Sequence, residues 1–363
     1  MPKAAVVSTP DITAEPASLS PVRLLNNWRY TLRTCNCPDD PVDGITRWLV
    51  LTRACVQPMT LIAVSVAGLL AVRGPGFNSV WYALAAVGAI LAHANNNLMN
   101  DLFDLDVGAD TEDYPRALYA PHPVLSEMIS RGGLARAALL INLVGLAIMV
   151  TLTVVRGPLI IAFALAGLFI SVAYAAPPLR LKKRGLGEPG VFLIWGPLMI
   201  GGTYFAATGR IPWQVLVASI PYGLLVMAVL MGKHIDKMPW DKPLKIGTLP
   251  QVLGEKLSRQ VTVALMILFY ATTVVLVVLR ALPLPALLVV LAIPRLVEVL
   301  GYYRNPRPEK PPENYPVWPL WYVAAAFVHT RRAGALLVLG LLLAAVLPLT
   351  CSFGGVGGCS AGW

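Results

Sequence analysis

About nine runs of roughly 18 to 22 apolar residues recur along this chain, each the length that a bilayer core demands of an α-helix. They begin near Thr60, Val80, Ala137, Pro158, Val191, Val215, Val261, Pro283 and Gly334. In hydrocarbon every backbone N–H and C=O has to be satisfied within the segment, so runs of this kind have one outcome, a helix. The chain is 56% hydrophobic and 13% charged, with a mean hydropathy of +0.66, outside the range of ordinary soluble domains. An all-α integral membrane protein with about nine transmembrane helices is the expected fold class.

Charge orients such a bundle. With nine spans, the N-terminus and the loops after spans 2, 4, 6 and 8 share one side. All but five of the 29 Lys and Arg fall there; Arg73, Arg156, Arg210 and Arg280 lie singly in the opposite loops, and Arg295 lies inside span 8. The positive-inside rule makes the basic side cytoplasmic, in the cell membrane. A net charge of +10 therefore describes one basic face, suited to anionic headgroups or a phosphorylated substrate. Nucleic acid is not an expected partner, because the basic residues are dispersed over loops without a binding motif.

Residues 1–20 lack apolar periodicity and read as a disordered tail without the apolar core of a signal peptide. In residues 21–53, Trp28, Tyr30 and Trp48 interleave with Arg23, Arg29, Arg33 and Arg47, as in a cytoplasmic interfacial helix. Residues 54–350 form the membrane domain, in which Val317 to His329 is too short to span and lies at the interface or re-enters. A Gly-rich tail occupies 351–363. Cys35, Cys37 and Cys55 do not match metal-ligand spacing, and a bridge between Cys351 and Cys359 is open on the outer side.

The stretch Asn96 to Asp113, NNLMNDLFDLDVGADTED, ends an apolar run in a burst of amides and carboxylates. On a helix, Asn100 and Asp104 are four apart and Asp101 and Asp104 three apart, so their oxygens converge on one face. Converging oxygens without His or Cys suit a hard cation such as Mg²⁺. Ionisable groups at the lip of a membrane helix are costly, which makes them functional candidates. A second polar connection, MGKHIDKMPWDKPLKIGTLP after span 6, carries Lys233, His234, Asp236, Lys237, Asp241, Lys242 and Lys245. The four histidines are isolated and read as hydrogen-bonded polar residues, with His234 a candidate near an acceptor. Arg295 and Glu298, three apart in span 8, read as an internal ion pair.

Carboxylates bridged by Mg²⁺, basic residues and apolar walls together fit a polyprenyl diphosphate: oxygens held by the metal, remaining charge met by Lys and Arg, tail among helices. The motif Asn100, Asp101, Leu102, Phe103, Asp104, followed by Gly108 and Asp110, resembles the first motif of the UbiA superfamily of intramembrane prenyltransferases. Its form is similar to the branch that prenylates dihydroxynaphthoate in menaquinone synthesis. YAAPPLRLKKRGLGE resembles the family loop in which a Tyr and basic residues contact the diphosphate, which implicates Tyr174, Arg180, Lys182 and Lys183. The segment from Gly196 to Gly209 resembles the family's fifth span.

The second motif departs from the family pattern. Asp236 and Asp241 are five apart rather than four, with Trp240 where the spacing would put the second carboxylate. Either Pro239 breaks the helix and re-aims Asp241, or Asp241 acts through water. The resemblance implies helices around a central cavity that opens to lipid, with cytoplasmic cap loops carrying the metal site. Asp101, Asp104 and Asp236 are the expected Mg²⁺ ligands and catalytic residues, with Asn100, Asp110 and Asp241 supporting. Arg180, Lys182, Lys183 and Lys245 are expected to hold the diphosphate. The expected activity is Mg²⁺-dependent prenyl transfer from a prenyl diphosphate to an aromatic, quinone-precursor-like acceptor in membrane lipid. A terpene cyclase of the same superfamily and a lipid-binding or transport protein are the alternatives.

Overall fold

The computed structural model describes residues 20–38, 42–106, 120–175, 178–313, 315 and 317–347, with the side chains of 104, 106 and 175 excepted. Among these residues the chain is helical, and one isolated bridge, between Arg184 and Gly247, is its only strand-like pairing. Two amphipathic helices open it, α1 (Pro21–Thr34) and α2 (Gly44–Leu51). Then come α3 (Pro58–Ala71), α4 (Ser79–Asp106), α5 (Arg131–Arg156) and α6 (Leu159–Ala175). The rest is α7 (Gly187–Thr208), α8 (Trp213–Asp241), short α9 (Leu249–Leu253), α10 (Glu255–Val278), α11 (Leu284–Arg304) and α12 (Tyr322–Val346). The protein is a multi-pass integral membrane protein: among the described residues seven helical segments are long and apolar enough to cross a bilayer, one of them Ala54–Ala71, which joins a 3₁₀ turn to α3, and α6 is a shorter apolar helix.

Local chemistry sets where the helices begin. Asn78 Oδ1 accepts from the amides of Val80 and Trp81 at the start of α4, and Ser130 Oγ from that of Gly133 at the start of α5. Each supplies an acceptor to first-turn N–H groups that no carbonyl can reach. Asp43 does the same for α2, accepting from the Ile45 and Thr46 amides at 2.8 and 3.0 Å, from Thr46 Oγ1, and from the Trp28 indole of α1. Burial pushes the Asp43 carboxyl up, but these hydrogen bonds outweigh it and hold it below its usual 3.8. α1 and α2 are further tied to the membrane bundle by a disulfide between Cys35, which caps α1, and Cys55 ahead of α3.

The large apolar core lies among α3, α7, α8, α10, α11 and α12. Small residues let these helices approach: a Cβ on Gly340 of α12 would stand 2.2 Å from the Pro285 carbonyl oxygen of α11. α8 is central and mostly buried, whereas α5 is mostly exposed and turns Leu139, Leu140, Leu143 and Val154 outward. Outward leucines on a membrane helix face lipid, which is as apolar as they are.

Two expectations are corrected here. Val317 to His329 is not a separate interfacial or re-entrant piece, and the last span does not begin near Gly334. α12 runs unbroken from Tyr322, carrying Arg331 and Arg332 inside it. The two arginines imitate a membrane boundary in the sequence, but the backbone bonds of a helix do not depend on whether a side chain is charged. Nor does Pro239 break α8, which continues through it to Asp241. Arg295 and Glu298 do form an ion pair. Cys351, Cys359 and residues 1–19 lie outside the described residues.

Candidate active site

The C-terminal ends of α4, α6 and α8 and the N-terminal end of α12 meet at one end of the bundle. Ser171 of α6 donates to Asn96 Oδ1 of α4 at 2.6 Å, Tyr174 of α6 meets His234 of α8 at 3.2 Å, and Asp236 of α8 reaches the first turn of α12. From this junction a cavity of about 1030 Å³ runs into the bundle. Its polar lining includes Asn100, Asn96, Arg53, Tyr174 and Lys233, while much of the rest is aliphatic or aromatic, among them Met59, Ala89, Phe163, Leu198 and Val226.

Asn100 and Asp101 stand on the last turns of α4. Asn100 lines the cavity; Asp101 is fully buried and ion-paired with Arg53, which lies between α2 and α3 with φ +50°. Asn97, one turn earlier, donates to the Thr52 carbonyl at 3.0 Å. The chain just ahead of α3 is thus clamped against the acidic motif by two contacts. Asp104 belongs to α4, but its side chain, like Asp110, is outside the described residues.

Asp236 and Asp241 part company. Five residues on a helix are about 500° of rotation, so the two carboxylates leave α8 about 140° apart. Asp236, 1% exposed, accepts from the amides of Tyr322 at 3.0 Å and Val323 at 2.9 Å, capping α12 with both oxygens. Arg307 fixes the same junction, donating to the Asp236 and Pro319 carbonyls at 3.0 and 2.9 Å and stacking on Trp240 and Trp318. Asp241 is seven residues from His234, shares its face of α8 and is buried.

On that side His234 Nδ1 lies 2.6 Å from Glu188 Oε1, and its Nε2 meets Tyr174. Glu188 and His234 are both sealed from solvent, so the Tyr174 hydroxyl is held from behind where it lines the cavity. Arg180, Lys182 and Lys183 occupy the loop between α6 and α7, which the Arg184–Gly247 bridge joins to the loop after α8. A Cβ on Gly247 would be 2.7 Å from the Lys183 carbonyl oxygen, so only glycine permits this contact. Lys245 is exposed. None of Arg180, Lys182, Lys183, Lys245, Asp236 and Asp241 is among the described residues that line the cavity.

Among the described residues no three His, Cys, Asp or Glu side chains form a ready metal cluster. The oxygen donors on α4 are Asn100, which lines the cavity, and the buried Asp101 beside it, and oxygen donors fit a hard divalent cation rather than a thiophilic one; neither Asp101 nor Asp241 is among the described lining residues. Sequence reasoning missed Arg53, which carries no signal beyond its charge. It also missed Glu188, whose signal is an acidic residue opening an apolar helix. His93 and Arg331 line the cavity as well, on spans where a polar residue is itself informative.

Residues 60–324 match the UbiA prenyltransferase family. The chain is 24% identical to the 2-carboxy-1,4-naphthoquinone phytyltransferase of Synechocystis over 273 residues, 72% of this chain and 85% of that protein. It is 27% identical to the 1,4-dihydroxy-2-naphthoate octaprenyltransferase of Haemophilus influenzae over 233 residues, 60% of this chain and 72% of that protein. Its fold is similar to a UbiA homolog from Archaeoglobus fulgidus solved with GPP and Mg²⁺, at a TM-score of 0.53 and 14% identity, over 80% of this chain and 99% of that one. The same homolog with DMAPP and Mg²⁺ gives 0.52 and 15%, over 81% and 99%.

Proposed function

The chain belongs to the UbiA prenyltransferase family, and from that premise we propose that it moves a prenyl group from a prenyl diphosphate to a hydroxylated bicyclic aromatic acceptor, within the membrane. The observation that carries this reading is a single cavity with Asn100, Arg53, Tyr174 and Lys233 at its polar end and aliphatic walls below. A diphosphate suits the first part and a prenyl chain the second. The naphthoate and naphthoquinone named for its relatives supply the acceptor class.

Mg²⁺ is the cation that this donor set fits, and when bound it would offset charge gathering on the departing diphosphate. Asp101 and Asp104 are the proposed ligands on the α4 side, with Asn100 and Asp110 supporting. On the α8 side the geometry favours Asp241 over Asp236, because both Asp236 oxygens already serve α12. Arg53, which neutralises Asp101, is placed to exchange that partner for a phosphate oxygen, and Lys233 meets the diphosphate from α8. Arg180, Lys182 and Lys183 close over it, with Lys245 at the rim. The aliphatic walls keep water from the allylic cation until the acceptor ring captures it. This end of the bundle faces the cytoplasm, in keeping with its basic loops.

The test is incubation of the purified protein with Mg²⁺ and labelled geranyl diphosphate, with and without 1,4-dihydroxy-2-naphthoate. The expected result is a labelled prenylated naphthol and release of diphosphate that depends on the acceptor. Release of diphosphate and formation of a hydrocarbon product without acceptor would replace this reading with cyclase chemistry.

A further inference from the structure

We propose that His93 is a fixed hydrogen-bond donor deep in the cavity and that its Nε2–H holds a ring oxygen of the aromatic acceptor. The identity of the ligand rests on the function proposed above; the direction of the donor rests on geometry alone. His93 lies on α4, is 6% exposed and lines the cavity. Its Nδ1 is 2.8 Å from Thr60 Oγ1 of α3, and Thr60 is fully buried. The same oxygen accepts from the Trp195 indole of α7 at 3.3 Å. An indole only donates, and a hydroxyl has a single proton. The proton of Thr60 therefore goes to His93 Nδ1, since the reverse arrangement would leave a buried hydroxyl proton without an acceptor.

With Nδ1 acting as acceptor, the imidazole carries its own proton on Nε2. Trp195 also meets the imidazole edge-on, with ring centroids 5.0 Å apart and planes at 85°, so the ring is held in one orientation. Among the described residues Nε2 has no hydrogen-bond partner, and it is not among the polar atoms sealed away from open space. Three helices thus combine to aim one N–H into a cavity whose walls include Ala89, Ala92 and Val226. A polar group set so firmly in an apolar wall reads as a recognition element.

Depth selects the ligand. His93 is seven residues from Asn100, two helical turns or about 10 Å along α4. Arg53 and Lys233, which meet the diphosphate, are near enough to act on His93 through space, but they satisfy the phosphate oxygens themselves, and a prenyl chain has no oxygen to offer. The remaining substrate is the acceptor, a flat ring system with oxygens at its edge. A donor that cannot turn accepts a carbonyl, hydroxyl or phenolate oxygen at one place on that edge. It penalises a ring lacking that oxygen, because its own N–H would then be left unpaired.

The test pairs ligand and residue changes. Purified wild type and His93→Phe are assayed with geranyl diphosphate and Mg²⁺ against 1,4-dihydroxy-2-naphthoate and its two monohydroxy analogues. Wild type should favour the full acceptor over one of the analogues by about 10- to 100-fold in kcat/KM. His93→Phe should lose that preference while KM for geranyl diphosphate stays within twofold. His93→Gln, which keeps a donor, should retain part of it. An undiminished preference in His93→Phe would overturn the inference and point to a water-filled niche or a packing role. Should wild type turn over none of these acceptors, the function proposed above fails, and calorimetric binding of 1,4-naphthoquinone still decides the matter: His93→Phe must bind it at least tenfold more weakly, and equal binding rejects the role. If His93→Phe does not fold, Thr60→Val frees the tautomer and should weaken the same preference; no change there counts equally against it.

Discussion

Asp101 and Asp236 are both carboxylates near the polar end of a membrane helix, both sealed from solvent, and both faced by an arginine. Their partners nevertheless differ in kind. Asp101 is paired with a side chain, Arg53, that itself lines the cavity and has torsions to spare. Asp236 is bonded to two backbone amides of α12, which cannot leave without unwinding the helix. We propose that the carboxylate paired with a side chain is the one that serves the chemistry and that the one bonded to a helix terminus holds tertiary structure. Substitutions can separate the two.

The largest effect is expected at Asp101. Asp101→Asn should lower turnover by about 10²- to 10³-fold, the scale of removing one electrostatic stabiliser, while the protein stays monodisperse in detergent and melts as wild type does. A marked fall in melting temperature with activity retained would place Asp101 on the structural side.

Asp236→Ala should show the opposite pattern. Loss of two hydrogen bonds to the α12 terminus is expected to cost about 1 to 3 kcal/mol of stability, read as the denaturation midpoint in detergent. The accompanying fall in kcat at a temperature where the variant is folded should stay below tenfold. An unrescuable loss of turnover at unchanged stability would return Asp236 to the ligand set.

Asp241→Ala tests the other half of that exchange. A 10- to 100-fold loss of turnover at unchanged stability, partly recovered as Mg²⁺ is raised, is the outcome expected of a partner to the metal site. Wild-type activity at every Mg²⁺ concentration would leave α8 without a carboxylate in the chemistry.

The smallest effect belongs to Asp43, a capping carboxylate with a polar surrounding. Asp43→Ala should cost about 1 kcal/mol. Because the folded-state value is depressed below 3.8, this contribution is present at neutral pH and disappears as pH falls through and below that value. The denaturation difference between wild type and variant should therefore shrink in acid; a difference that grew there would reverse the assignment.

Legibility followed the range of the interaction. The membrane class, the acidic motif on α4 and the pairing of Arg295 with Glu298 all depend on residues a few positions apart, so periodicity and spacing reveal them. The start of α12 did not, because Arg331 and Arg332 resemble a boundary when read alone. The ordering proposed for Asp236 and Asp241 resisted for a different reason. Spacing states that they occupy different faces of α8, but which face meets the site depends on what packs there. Glu188 and Tyr174 cover the face of His234, and α12 covers the face of Asp236.

What the chain determined by itself was its solvent and its helices: apolar runs of bilayer length admit no other backbone. Only tertiary structure decided what each polar residue is for. Thr60, His93 and Trp195 are scattered over more than a hundred positions, and nothing local connects them. They become one hydrogen-bonded chain because α3, α4 and α7 pack together, and a buried polar atom must find its partner wherever the packing delivers one.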